Sequence, residues 1–146
     1  MPTTRRHRTV QAPLAQVWEV IADPYHFPRW WPRVGRVEGV HRRSWTKVFL
    51  TSKGRPLRAD YRLLESEPRR RLEWEQELEG SPFEKVLSRA VTEVSLAPDG
   101  DESTQVTIEL RQTARGFSRF GGFMMRRASR SLIDEALAGL SEACER

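Results

Sequence analysis

The sequence predicts an α+β domain in which an antiparallel sheet packs against one long C-terminal helix. Three observations lead there. Through the middle of the chain, apolar and polar residues alternate one by one. Near residue 117 that period gives way to helical spacing that lasts to the end. Between the alternating stretches lie clusters of Gly, Pro, Asp and Ser, the residues of turns. Successive strands followed by a terminal helix make an α+β arrangement.

Residues 5–11 are polar with a β-branched pair and read as a first strand. In the next segment Pro13 suits a first helical turn, where its missing N–H costs nothing. Leu14, Val17, Trp18 and Ile21 share one helical face, and Asp23-Pro24 ends the helix by pushing Asp23 out of the α region. Residues 24–33 combine three prolines with four aromatics and are expected to form a stiff apolar loop without regular structure.

The strands come next. Leu57, Ala59, Tyr61 and Leu63 alternate with charged residues, as do Leu72, Trp74, Gln76 and Leu78, and Val106, Ile108 and Leu110 alternate with Thr107, Glu109 and Arg111. Such alternation marks strands with one buried and one wet face. Two more fit Trp45–Thr51 and Leu87–Leu96, and turns at 52–56, 67–69 and 98–101 separate the strands. At the end, Phe120, Met124, Ala128, Leu132, Ala136, Leu140 and Ala143 trace a stripe at i, i+3/i+4 spacing.

Composition narrows the function. A chain of 146 residues is long enough for one domain with a sizeable core. Its single cysteine, Cys144, excludes an intrachain disulfide framework and a cysteine-ligated zinc site. His7, His26 and His41 show no metal-ligand spacing, so no metal is expected, and no nucleotide-binding loop or nucleophile-elbow motif is present. No cofactor is expected either. The basic N-terminus lacks an apolar run behind it, and no stretch approaches the ~20 apolar residues of a membrane span, so a cytoplasmic location is the expectation.

The net charge of +5 raises the question of nucleic acid. Of the 25 basic residues only Lys47, Lys53 and Lys85 are lysines, and the arginines are scattered among acids along the whole chain. A phosphate-binding surface concentrates its basic residues, so no nucleic-acid partner is expected.

Ala12-Pro13, Val17-Trp18, Asp23-Pro24 and Trp30-Trp31-Pro32, followed by the strands and the final helix, resemble the START-like (SRPBCC) superfamily, in particular its polyketide cyclase/dehydrase-type proteins. The resemblance spans the whole chain and implies a single domain over residues 1–146. It implies a helix-grip fold, with a curved sheet wrapped around the C-terminal helix and a cavity between them for an apolar or aromatic molecule.

Under that resemblance the candidate cavity lining is Trp30, Trp31, Trp45, Phe49, Tyr61, Trp74, Phe120 and Met124. Each of these equally suits a plain core, where aromatics bury 150–250 Å² apiece. Trp30 and Trp31 either form a lid or plug one end of the sheet. The principal expectation is therefore a carrier of a hydrophobic small molecule. The alternative is a cofactor-free cyclase or dehydratase using acid–base groups, for which Arg43, Arg58, Tyr61 and Glu109 are the candidates. A wall with at most one or two Arg, His or carboxylate groups from the strands at 43–51 or 87–96 is expected.

Phe117, Phe120, Phe123, Met124 and Met125 lie among Arg115, Arg119, Arg126, Arg127 and Arg130, a mixture that also suits contact with an anionic bilayer. The favoured reading has these phenylalanines capping the cavity and the arginines solvated, without stable membrane insertion. A homodimer is among the assemblies the sequence allows.

Overall fold

A computed structural model describes residues 3–116 and 119–145, with side chains described throughout except at positions 119 and 120. Seven strands form one sheet: β1 (Thr3–Val10), β2 (Val34–His41), β3 (Ser44–Phe49), β4 (Leu57–Glu67), β5 (Arg71–Glu77), β6 (Leu87–Pro98) and β7 (Thr104–Ala114). Their order is β1-β7-β6-β5-β4-β3-β2, every neighbour antiparallel. Chain neighbours from β2 to β7 pair through turns, with longer loops after β3 and β5. The chain crosses from one sheet edge to the other between β1 and β2, through α1 (Leu14–Ala22), a 3-10 turn (Pro24–His26) and α2 (Phe27–Trp30).

The long helix α3 (Arg119–Cys144) lies on β1 and β7 and also touches α1 and α2. The curved sheet and this helix give the expected helix-grip arrangement. Inward positions on the strands follow the alternation: Ala59, Tyr61, Leu72, Trp74, Val106, Ile108 and Leu110 are all buried.

The opposite face is wet and ionic. Glu73, Glu93 and Glu109 stand directly across from one another on β5, β6 and β7. Their mutual repulsion is offset by Arg111, whose guanidinium reaches Glu109 at 2.6 Å and Glu93 at 3.6 Å and also pairs with Glu73. Arg71 adds a contact to Glu93 at 3.3 Å. On this face Arg71 and Arg111 are thus matched locally by acids.

Three expectations need correction. The segment at 24–33 is not irregular, because it holds the 3-10 turn and α2. Pro24 is the first residue of the 3-10 turn and Pro28 the second of α2, both within a first turn, where no intrahelical N–H bond is needed. The strand β2 was not expected at all. Its valines, Val34, Val37 and Val40, recur every three residues rather than every two, and two register shifts interrupt its pairing with β3, so no two-residue period shows.

The helix stripe is the third. Its buried line runs through Ser129, Ile133, Ala136, Leu137, Leu140 and Cys144, whereas Met124 is 53% exposed and Ala128 faces solvent. Leu140 and Ala136 hold as expected and Leu132 is partly buried, but over the first turns the buried face is rotated by about one residue. There the described side chain that packs inward is Met125, against Leu78, Leu87 and Ala90.

Candidate functional site

Between the inner face of the sheet, α3 and the loop after α2 lies a cavity of about 500 Å³. Its wall comes from many elements because curvature turns the inner residues of successive strands toward one space. β3 supplies Lys47 and Phe49, β4 Leu57 and Tyr61, β5 Trp74 and Gln76. β6 and β7 add Leu87, Ala90, Thr92, Leu110 and Gln112, and α3 adds Leu132. At the open end stand the exposed residues Arg33, Leu50, Thr51 and Ser52, with Phe83 from the β5–β6 loop.

Beneath the wall is a packed aromatic group. Phe27 stacks on Trp30 at 5.4 Å and on Trp45 at 5.8 Å, and meets Trp74 edge-on at 5.4 Å. Trp31 meets Trp74 edge-on at 5.7 Å. Trp45 stacks on Tyr61 at 6.1 Å. Such pairs contribute about 0.5–1.5 kcal/mol each beyond the area they bury.

The candidate residues therefore separate. Trp31, Phe49, Tyr61 and Trp74 line the cavity. Trp30 does not: it is 2% exposed and packs beneath, where α2 meets α3. Trp45 borders a smaller cavity of about 90 Å³ instead, together with Phe27, Leu63 and Leu72. Met124, expected on the wall, points to solvent because the helix presents Met125 inward. Phe117 and the side chain of Phe120 lie outside the described residues.

The two adjacent tryptophans thus take different positions. Trp31 leaves α2 in an extended conformation and its ring lies on the wall, and the chain then turns at Arg33 with φ 63°.

Of the acid–base candidates only Tyr61 reaches the cavity. Arg58 is exposed and pairs with Glu38 at 3.3 Å. Arg43 donates to the backbone carbonyls of Leu63 and Leu64. Glu109 belongs to the outer ionic face. Burial raises the Tyr61 phenol above its ordinary pKa, with the nearby Asp60 carboxylate adding to the effect, so it stays protonated.

The principal polar group was missed. Lys47 has no exposed surface, and its Nζ lies 4.0 Å from the ring centre of Phe27, 4.2 Å from Trp31, 4.4 Å from Tyr61 and 5.2 Å from Trp74. Nζ has no hydrogen-bond partner among the described residues. Burial pulls its pKa well below the ordinary lysine value, while the faces of the rings favour the ammonium. Lys47 stands two residues from Trp45 and two from Phe49, so the period of the strand places it on the inner face. That signal is present in the sequence and is hidden by counting lysine as a surface charge.

The other charged group on the wall, Arg33, is exposed at the mouth and pairs with Glu135 at 3.1 Å. Neither histidine nor carboxylate lines the cavity among the described residues.

The family model described as polyketide cyclase/dehydrase and lipid transport matches residues 1–145. The chain belongs to this polyketide cyclase/dehydrase and lipid-transport family. No curated protein matches it in sequence. Among solved structures it is similar to the di-domain ARO/CYC BexL from a biosynthetic pathway, with a TM-score of 0.83 and 23% identity; 99% of this chain is covered but only 47% of that one, so it spans about half of BexL. It is also similar to a START superfamily protein from Mycobacterium smegmatis, with a TM-score of 0.81 and 12% identity over 98% of this chain and 97% of that one.

A third similar structure is the Zhui aromatase/cyclase of a Streptomyces species, with a TM-score of 0.72 and 20% identity over 99% of this chain and 94% of that one. At these identities the likeness is one of fold. A shared fold does not give a function, which is argued from the site. No described helix of the chain is long and apolar enough to cross a membrane.

Proposed function

We propose that this protein binds an apolar or aromatic small molecule, lipid-like or polyketide-like, in the cavity between the sheet and α3. One observation carries the reading: a space of about 500 Å³ bounded mainly by Trp31, Phe49, Leu57, Tyr61, Trp74 and Leu110. Ligand cavities commonly measure about 300–1,000 Å³ and are apolar with a few placed polar groups. Packing this sheet against α3 leaves that space unfilled, and a ligand's carbon skeleton would gain the burial that the protein forgoes there.

The second reading is a cofactor-free cyclase or dehydratase. It is favoured by Lys47 and Tyr61 standing side by side on the wall, Nζ 4.4 Å from the phenol ring. An amine and a phenol so placed can exchange protons with a carbonyl compound. The aromatase/cyclase names of BexL and Zhui agree with that chemistry.

Binding is tested with the neutral fluorophore N-phenylnaphthylamine, and by native mass spectrometry of the purified protein. A saturable fluorescence rise that Leu57→Trp abolishes by filling the cavity supports the binder. No saturable binding of the probe and no co-purifying molecule would rule it out. Turnover of an aromatic polyketide mimic, lost in both Lys47→Met and Tyr61→Phe, would put the enzyme ahead.

A further inference from the structure

The wall of the cavity has hydrogen-bond donors without acceptors. Lys47 Nζ, Trp74 Nε1 and Gln76 Nε2 are buried and have no partner, and all three residues line the cavity. They sit on one face of three adjacent strands, where Lys47 pairs with Ala59, Tyr61 with Gln76 and Leu63 with Trp74. Trp30 Nε1, Trp45 Nε1 and Arg71 Nε likewise lack a hydrogen-bond partner, but none of these residues lines this cavity. The neighbouring oxygens do not redress the balance. Gln112 Oε1 already accepts from Ser129 at 2.9 Å. The hydroxyls of Tyr61 and Thr92 carry lone pairs, but neither accepts from any of these three donors.

Leaving a buried donor unmade is costly, and leaving a buried charge unpaired costs more. We infer that the molecule held here carries a carboxylate at one end of its apolar body, and that Lys47 receives it. The inference rests on the binding role proposed above and adds the ligand's chemical class. A neutral carbonyl oxygen would satisfy an N–H but leave an ammonium uncompensated, whereas a carboxylate does both and has lone pairs left for the Gln76 and Trp74 donors.

Among the described residues no carboxylate lines the cavity, and burial is the cause that lowers the Lys47 pKa. An arriving anion restores the charged amine, because an opposite charge at close range favours the ionised form. Lys47 is sealed among its rings, and its flexible four-carbon stem lets Nζ swing from them toward the cavity. The aromatic rings surround the amine when the ligand is absent, and the carboxylate becomes its partner when it is present.

The experiment compares naphthoic acid with naphthamide, which has nearly the same shape and no charge, as competitors of N-phenylnaphthylamine at neutral pH. The acid is expected to bind at least about tenfold more tightly, a modest gap for a charge-assisted pair in an apolar site. In Lys47→Met the ratio should fall to within about twofold, and because both competitors meet the same variant, general changes in affinity cancel. Exposed Lys53→Met should leave the ratio as in the parent.

Equal binding of acid and amide by the parent overturns the inference while the binding role stands, since the fluorophore itself binds. An acid preference that survives Lys47→Met and disappears in Arg33→Gln also overturns it, assigning the preference to the mouth. Absence of fluorophore binding removes both readings together.

Discussion

A methyl group added to Gly139 on α3 would stand 2.4 Å from the carbonyl oxygen of Trp30 at the end of α2. The two backbones touch there without a side chain between them. That contact holds α2 against the long helix, and with it the position of Trp31 on the cavity wall. Glycine costs about 1 kcal/mol in a helix interior, so its place in α3 is explained by this approach.

Gly139→Ala is therefore expected to destabilise the protein despite its gain in helix propensity. Crowding a packed contact costs about 1–3 kcal/mol, more than the propensity returns. Gly122→Ala is the control: nothing lies within 4 Å of its added methyl, and it should stabilise α3 by about 0.5–1 kcal/mol. Urea unfolding of the two variants should shift in opposite directions. A neutral or stabilising Gly139→Ala would show that the α2–α3 contact gives way freely.

Lys47 makes the stability depend on pH. Its pKa is depressed in the folded state by burial. Between that lowered value and the unfolded value near 10.5, the unfolded chain binds the extra proton, so stability rises with pH through this window. Lys47→Met removes the penalty. The variant should be more stable near neutrality by about 1–4 kcal/mol, as when buried ionic groups give way to apolar ones. The gap should close as pH approaches 10. A gap that stays constant from pH 6 to 10 would show that the amine is not desolvated.

Leu140 and Leu132 should respond differently to truncation. Leu140 is fully buried, and Leu140→Ala should cost about 2–5 kcal/mol. Leu132 is partly buried and borders the existing cavity, so Leu132→Ala should cost less and widen the space. Its signature is a changed preference for ligand size, measured by competition with apolar molecules of increasing length. Equal stability losses would mean that Leu132 packs as core.

Charge is the remaining test. With basic and acidic groups paired along the outer face, binding to generic DNA should be weak and disappear near physiological salt, where counterion release no longer drives it. A filter-binding titration at rising salt checks this. Sub-micromolar affinity at about 150 mM salt would identify a basic surface that the pairing of charges conceals.

The strands β4, β5 and β7 were legible because alternation is a local property: Leu57, Ala59 and Tyr61 face one side whatever they meet there. The same holds for the end of α3, where Ala136 and Leu140 mark the buried face. Where local order is broken, legibility fails. The register shifts of β2 erase its period, and the Pro-rich segment at 24–33 conceals α2 because proline is a breaker inside a helix and a starter at its first turn.

What the sequence by itself determined, then, is the order of the elements other than α2 and β2, the family, and which positions of the regular strands face inward, for these depend on neighbours within a few residues. Tertiary structure decided which aromatics meet empty space. Trp30 and Trp31 are adjacent, yet one packs beneath α3 and the other lines the cavity, because the close approach at Gly139 fixes α2 and the turn at Arg33 sets the direction of the chain. It also decided the standing of Lys47. Its inward phase is written in β3, but that no carboxylate faces it and four rings do depends on residues from α2, β4 and β5 meeting at one point. A lysine's burial is a property of the space around it, and that space exists only once the sheet has curved about the helix.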